Sequence, residues 1–307
     1  VVVRFDAALS PVDSLARGEV DSASALPSDL IPALQGTPGV EWHTGFAFSW
    51  DHLEIRLGKG GHPMLRSRLV RRALAYGIDR RKIVNDIFGG TVRSQQVADS
   101  AIFPPSSPNY RKNWSQYRYR PAESRRLLEQ AGCRRGTDGI YVCTGQKLSF
   151  RFGTRGDSAI RRRTLDLVRA QLRGVGIEVV PEYASQQVLL NQIVPSGRFD
   201  LAEFAWFGPS DGQNALGLFG CGAPNNYTGY CQRRVTADLE RAKRILDADE
   251  WAEALNRADA QLARDVPVIP FYWGVGVTAH RATLHGVPYH PINILWNVEN
   301  WWLESDR

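Results

Sequence analysis

Apolar and polar positions along this chain switch repeatedly between the two-residue period of strands and the 3.6-residue period of helices. The clearest such switch lies between Gly176 and Asp211. Ile177, Val179 and Tyr183 predict an extended segment, Val188–Ile193 an apolar turn of helix, and Phe199–Trp206 (FDLAEFAW) a second strand. Gly208-Pro209 ends that strand, because proline cannot donate to a sheet ladder, so Trp206 and Phe207 project past its carboxyl end. In sheets of this kind ligands bind beyond the carboxyl ends of the strands. Trp206, Phe207, Ser210 and Asp211 are therefore candidate lining residues of a cleft, with Asn225, Asn226 and Tyr227 near its edge. Aromatic walls carrying a few polar groups suit a small solute. The alternative is that Trp206 packs in the core.

The same switching organises the rest of the chain. Ser14–Asp21 predicts a short helix halted at Gly18, Leu30–Leu34 a second one, and Val40–Trp42 a strand, with partial alternation over Phe46–Leu57. Ser67–Gly90 is the most regular helical stretch. Val70, Ala73, Leu74, Gly77 and Ile78 share one face, and Asp79 can cap a second helix carrying Ile83, Val84, Ile87 and Phe88. Pro121 opens a further helix, Leu148–Phe152 reads as a strand and Ser158–Gly174 as a long helix. Helices around Val235–Leu246 and Trp251–Leu262 precede an apolar strand at Val266–Tyr272. Strands alternating with helices indicate an α/β fold with mixed sheets.

Composition narrows the function classes. A hydrophobic content of 43% and a charged content of 23% are globular values. The net charge is +6, yet the basic residues are scattered, and Arg66, Arg68, Arg71, Arg72, Arg80 and Arg81 read as solvated helix faces. No nucleic-acid partner is expected. The longest apolar run, Val266–Ala279, has 14 residues and two prolines, too few and too broken to span a bilayer as a helix. The start, VVVRFDAALS, has no signal-peptide pattern and opens as if inside a strand, which reads as a fragment of a longer protein.

Four cysteines form two local pairs, Cys133/Cys143 and Cys221/Cys231, each ten residues apart. Of the three possible pairings only the local one needs no long-range assumption, and Gly136, Asp138 and Gly139 turn the chain between the first pair. Zinc is the competing reading, but neither pair has C-x-x-C spacing and no histidine is near. Two local disulfides point to an oxidising, extracytoplasmic compartment.

Several segments together resemble the extracellular solute-binding proteins of family 5, the peptide- and nickel-type receptors of ABC importers. Val70–Asp79 (VRRALAYGID) matches that family's V-R-x-A-[LI]-x-Y-A-I-D helix, supported by LARGEVD, PSSPNY, RPAESRRLLEQAG, TDGIYV, QLRGVGIEV, GRFDLAEFAW, NYTGYC and DVPVIPFYW in the family's order. The resemblance covers the family's C-terminal portion. It implies a type II periplasmic-binding-protein-like α/β lobe plus a partial second lobe. On that mapping residues 1–50 are part of the larger lobe, 51–271 form the other lobe, and 272–307 return to the first, with a hinge near Ser49–His52 and Phe271–Gly274. Its implied partners are a small solute or peptide, the membrane subunits of an importer, and the missing N-terminal part of the same protein. The implied location is a cell-surface lipoprotein or the periplasm. One departure stands out. Pro209 occupies the place of the aspartate that many peptide-binding members set against the ligand's terminal amine, and Asp211 is displaced by two positions. A neutral or anionic solute, a sugar, or a peptide held differently all fit that departure. The resemblance also allows another class, the ligand-sensing domain of a bacterial transcription regulator.

An enzyme is not expected. G-x-S-x-G, H-E-x-x-H and phosphate-loop motifs are absent, and the six histidines lack ligand spacing and read as surface or capping residues. No cofactor or metal is called for. Asp200 and Glu203 are carboxylates near the strand tip, with Asp200 expected to close a local turn.

Overall fold

The computed structural model describes residues 2–4, 10–89, 97–207, 212 and 214–304. The chain divides into two units, one holding the described residues up to Phe48 and from Gly274 onward, the other those from Ser49 to Trp273. It passes from the first to the second within β2 and returns within β9.

The first unit begins with α1 (Pro11–Ala16), whose N-cap Ser10 accepts the Asp13 N–H, then β1 (Ser22–Pro27) and α2 (Ile31–Gln35). The long strand β2 (Val40–Ile55) starts here. Tyr289 lies against two glycines of this unit: a Cβ at Gly45 or Gly276 would overlap its ring, and its hydroxyl donates to the Phe46 carbonyl at 2.8 Å. Glycine is therefore required at both positions by close approach.

In the second unit β2 continues, followed by α3 (Arg68–Gly77), α4 (Arg80–Phe88) and α5 (Pro121–Gln130). Val70, Ala73, Leu74, Gly77 and Ile78 are all buried, as their spacing predicts, and Asp79 caps α4 by accepting from the Lys82 N–H at 2.9 Å. A small antiparallel sheet, β3 (Cys133–Arg135), β4 (Tyr141–Cys143) and β5 (Gln146–Lys147), carries the first disulfide. Then come β6 (Ser149–Arg155), α6 (Ala159–Gly174) and β7 (Glu178–Ala184), with β6 and β7 parallel. The connection to β8 (Leu201–Phe207) is helical: α7 (Gln186–Val188), a π turn (Leu189–Ile193) and α8 (Val194–Ser196). β8 runs parallel to β6 and antiparallel to β2, with Trp206 facing Trp50 and Phe204 facing His52 across the ladder. After β8 stand α9 (Ala215–Phe219), α10 (Arg233–Ala242) and α11 (Ala248–Asp265), and then β9 (Val268–Arg281), which leads back to the first unit. There β1 pairs with the end of β9, and β10 (Leu284–His285) with β11 (Trp302–Leu303).

The structure corrects several readings of charged residues. Arg71 and Arg80 do not sit on solvated faces; both are buried. Arg71 donates to the carbonyls of Leu65, Arg66, Asp265 and Val266, and burial lowers its pKa to about 10. Arg80 donates to the carbonyls of Ala98, Pro270, Trp114 and Tyr117 and to the Asp99 carboxylate at 2.9 Å. Such a planar, many-donor group satisfies several carbonyls of different elements and loops at once. Asp200 closes no local turn: its carboxylate accepts the backbone N–H of His62 at 2.7 Å and that of Arg151 at 2.8 Å, and pairs with the Arg151 guanidinium. His52 and His280 are buried, contrary to the surface reading of the histidines.

Candidate functional site

The second unit contains a cavity of about 710 Å³ at the carboxyl end of β8. Its aromatic side is built by cross-strand pairing. Trp50 of β2 stands opposite Trp206 of β8, and the rings of Trp50 and Trp273 lie 6.2 Å apart. Trp50 and Trp273 are buried to within 5% of full burial, whereas Phe207, at the strand tip, is 77% exposed and forms a rim. The rest of the lining comes from α9, the loop Gly220–Asn225, Thr236 and Glu240 of α10, and Lys243 just after it.

The predicted site residues separate into four groups. Trp206, Phe207 and Asn225 line this cavity. Tyr227 is outside the lining but stacks on Trp206, ring centroids 5.6 Å apart and planes within 19°. Asn226 works within its own loop, its amide donating to the carbonyls of Gly220 and Tyr230 at 2.7 Å each. Ser210 and Asp211, like Pro209, lie outside the described residues. Trp206 also packs against a core cluster of Leu189, Val194, Phe199, Ala202 and Phe204, so the indole is at once core edge and cavity wall. Sequence reasoning missed Trp50 and Trp273. Their signal was a Trp on each of two further strands, which acquires meaning only once β2 is known to lie beside β8.

Charge is concentrated next to the aromatic floor rather than on it. Arg161 of α6 pairs with Asp51 and, at 3.2 Å, with Glu203, whose other oxygen accepts from the Thr154 hydroxyl at 2.9 Å. Burial pushes the Glu203 carboxyl up to about 7 against the pull of Arg161, and Asp51 adds to the rise. Burial alone would lower Arg161, but Asp51 and Glu203 outweigh it and keep the guanidinium firmly charged. On the other face of β2, His52 contacts Glu54 at 2.9 Å and lies against Trp50, ring centroids 4.3 Å apart. Among the described residues no group of three or more His, Cys, Asp or Glu is arranged to hold a metal ion. The cavity's resources are thus aromatic faces, the amide of Asn225 and one charge of each sign, from Glu240 and Lys243. That set can grip a solute by stacking and a few hydrogen bonds.

A family model for bacterial extracellular solute-binding proteins, family 5 (middle part), matches residues 1–227. The chain belongs to this family. Among curated relatives of this family 5 protein, oligopeptide-binding protein AppA of Bacillus subtilis (strain 168) is 27% identical over 247 residues, covering 78% of this chain and 45% of AppA. Oligopeptide-binding protein OppA of Mycobacterium tuberculosis (strain H37Rv) is 23% identical over 284 residues, 92% of this chain and 47% of OppA. The chain therefore spans about half the length of the curated relatives it matches. Its fold superposes on solved AppA from B. subtilis, in complex with a nonapeptide, with a TM-score of 0.80 at 24% identity, covering 96% of this chain and 58% of that one. The architecture is that of type II periplasmic binding proteins, an α/β fold with mixed sheets. Both predicted disulfides, Cys133–Cys143 and Cys221–Cys231, are present and no cysteine is free among the described residues. No helix among the described residues is long and apolar enough to cross a membrane.

Proposed function

We propose that this family 5 chain is part of the solute-binding receptor of an ABC importer, taking oligopeptides or a related small solute by hinge closure. The observation that carries the reading is the cavity with a Trp50, Trp206 and Trp273 floor at the end of β8, in a chain of this family. Trp206, Phe207 and Asn225 hold the solute, Tyr227 backs Trp206 and Asn226 shapes the loop, and Ser210 and Asp211 are retained as candidate binding residues. Residues 1–50 and 272–307 belong to a larger lobe and 51–271 to the second. Its partners are the importer's membrane subunits and an N-terminal part of the same polypeptide. Its setting is extracytoplasmic, as a cell-surface lipoprotein or a periplasmic protein, which suits two disulfides. Binding rests on solute contact with the receptor and on no catalytic step.

Calorimetric titration of the full-length receptor with a panel of synthetic oligopeptides tests this. At least one peptide class should bind, and Trp206→Ala should weaken it by about 1–3 kcal/mol, the scale of a lost aromatic contact. Binding unchanged by Trp206→Ala would move the site elsewhere. A panel with no binder would turn the reading to a non-peptide solute or to a sensing domain of the same fold.

A further inference from the structure

We propose that the Cys221–Cys231 disulfide positions the cavity wall and makes it redox-sensitive, while Cys133–Cys143 does not. The inference rests on the reading of this cavity as the solute site. Six consecutive residues, Gly220–Asn225, form one wall of it. This segment has no regular secondary structure, and apart from the bridge its ties are short backbone turns and three further bonds, one of them the Asn226 amide to the Gly220 carbonyl at 2.7 Å. The Cys221 N–H donates to the Thr236 hydroxyl at 3.0 Å, and the Asn225 N–H to the Gly217 carbonyl at 3.2 Å.

The other half of the loop is anchored far more firmly. Arg56 donates to the Tyr227 carbonyl at 2.6 Å, the Leu57 N–H to the Thr228 carbonyl at 2.7 Å, and the Tyr230 hydroxyl to the buried Asp265 carboxylate at 2.7 Å. Tyr227 in this half stacks on Trp206. Besides the Asn226 amide, which joins Gly220 to the Tyr230 carbonyl, the bridge is the covalent tie between the wall and that firmly held half. The first disulfide has a different setting, since Cys133 and Cys143 are paired residues of β3 and β4, so the strand ladder holds them together without it.

Access separates the two bridges as well. Cys133 and Cys143 are buried, whereas Cys221 is half-buried and Cys231 exposed. Thiol–disulfide exchange needs an attacking thiolate to reach a sulfur, so the Cys221–Cys231 bridge is the one a small dithiol reduces first. In that exchange one thiolate of the dithiol attacks a bridge sulfur and expels the other as a thiolate. The second thiolate of the dithiol then closes its own ring disulfide. Two electrons pass to the protein, two cysteine thiols form, and the dithiol is oxidised.

The test uses the oxidised full chain under increasing dithiothreitol, with alkylation and peptide mapping alongside hydrogen–deuterium exchange. Alkylation of Cys221 and Cys231 is expected at dithiothreitol concentrations about tenfold below those needed for Cys133 and Cys143. At that stage amides over 220–226 should exchange about tenfold faster, while those of β3, β4 and β6 keep their protection. The Cys221→Ser/Cys231→Ser double variant should reproduce the faster exchange without reductant. Earlier alkylation of Cys133 and Cys143, unchanged exchange over 220–226, or loss of protection across the chain would each overturn the proposal. No readout involves a peptide, so a receptor that binds none leaves this result standing on its own.

Discussion

Glu203 is fully buried beside a guanidinium it must share with Asp51, and this is where residue chemistry reaches the whole chain's stability. Its carboxyl is raised to about 7, above the ordinary value of 4.5, so the folded state holds its proton more tightly than the unfolded state does. The stabilisation from that proton is complete below about pH 4.5 and is lost as pH rises through 7, on the order of 3 kcal/mol in all. Glu203→Gln keeps an oxygen for Thr154 and removes the titration, so denaturation midpoints should vary less between pH 5 and 8 in the variant than in the parent. An equal pH slope in both would show that Glu203 is not the titrating group. Arg80 offers the opposite case. Arg80→Met leaves Asp99 and four carbonyls without their donor and should cost about 3–5 kcal/mol in urea unfolding. A loss under 1 kcal/mol would mean that water replaces the guanidinium. Trp206→Ala should lower stability as well as affinity, by less than the roughly 3–5 kcal/mol of a fully buried indole, because the ring rests on the Leu189–Phe204 cluster.

At the scale of elements, local chemistry decided most outcomes. Helices with apolar faces were readable: α3 and α4 from the Val70–Phe88 pattern with the Asp79 cap, and α6 from the span Ser158–Gly174. The cap of α11 shows the size of such terms. Asp247 accepts the N–H groups of Asp249 and Glu250 at 3.1 and 2.9 Å, so Asp247→Ala should cost about 1 kcal/mol in thermal or urea unfolding; no change would mean that water caps the helix equally well. Strands were readable in existence but less in extent. The apolar run read as ending at Tyr272 continues in β9 to Arg281, through Gly276, whose missing side chain leaves room for the Tyr289 ring. What the chain pattern did not carry was pairing. That Trp50 faces Trp206, and that Asp51, Arg161 and Glu203 meet, depends on how segments far apart in the sequence are placed side by side. The candidate site was thus half visible: its Trp206 and Phe207 tip from local sequence, its floor only from the sheet.

At the scale of the whole molecule, buried apolar residues are distributed unevenly. Among the described residues the first unit buries Leu15, Leu26, Ile31, Leu34, Val277, Ala279, Leu284 and Val287, while Ile292, Trp296, Trp302 and Leu303 stay exposed. The second unit holds the fully buried Trp114, Phe103, Phe150, Phe152, Phe199, Phe219 and Phe271, both disulfides and the buried Arg71 and Arg80. Burial of apolar area at roughly 25 cal/mol per Å² is the main term opposing chain entropy, and it scales with core size. Local stability should follow it, so the two units should not share one unfolding free energy. Native-state hydrogen exchange in rising denaturant should release amides of α1, β1 and α2 first, through openings several kcal/mol below those that free β6, β7 and α6. Calorimetry should show a broadened or double transition. A single sharp transition, with amides of β1 and β6 released at the same denaturant concentration, would mean that the chain folds as one cooperative body despite the unequal cores.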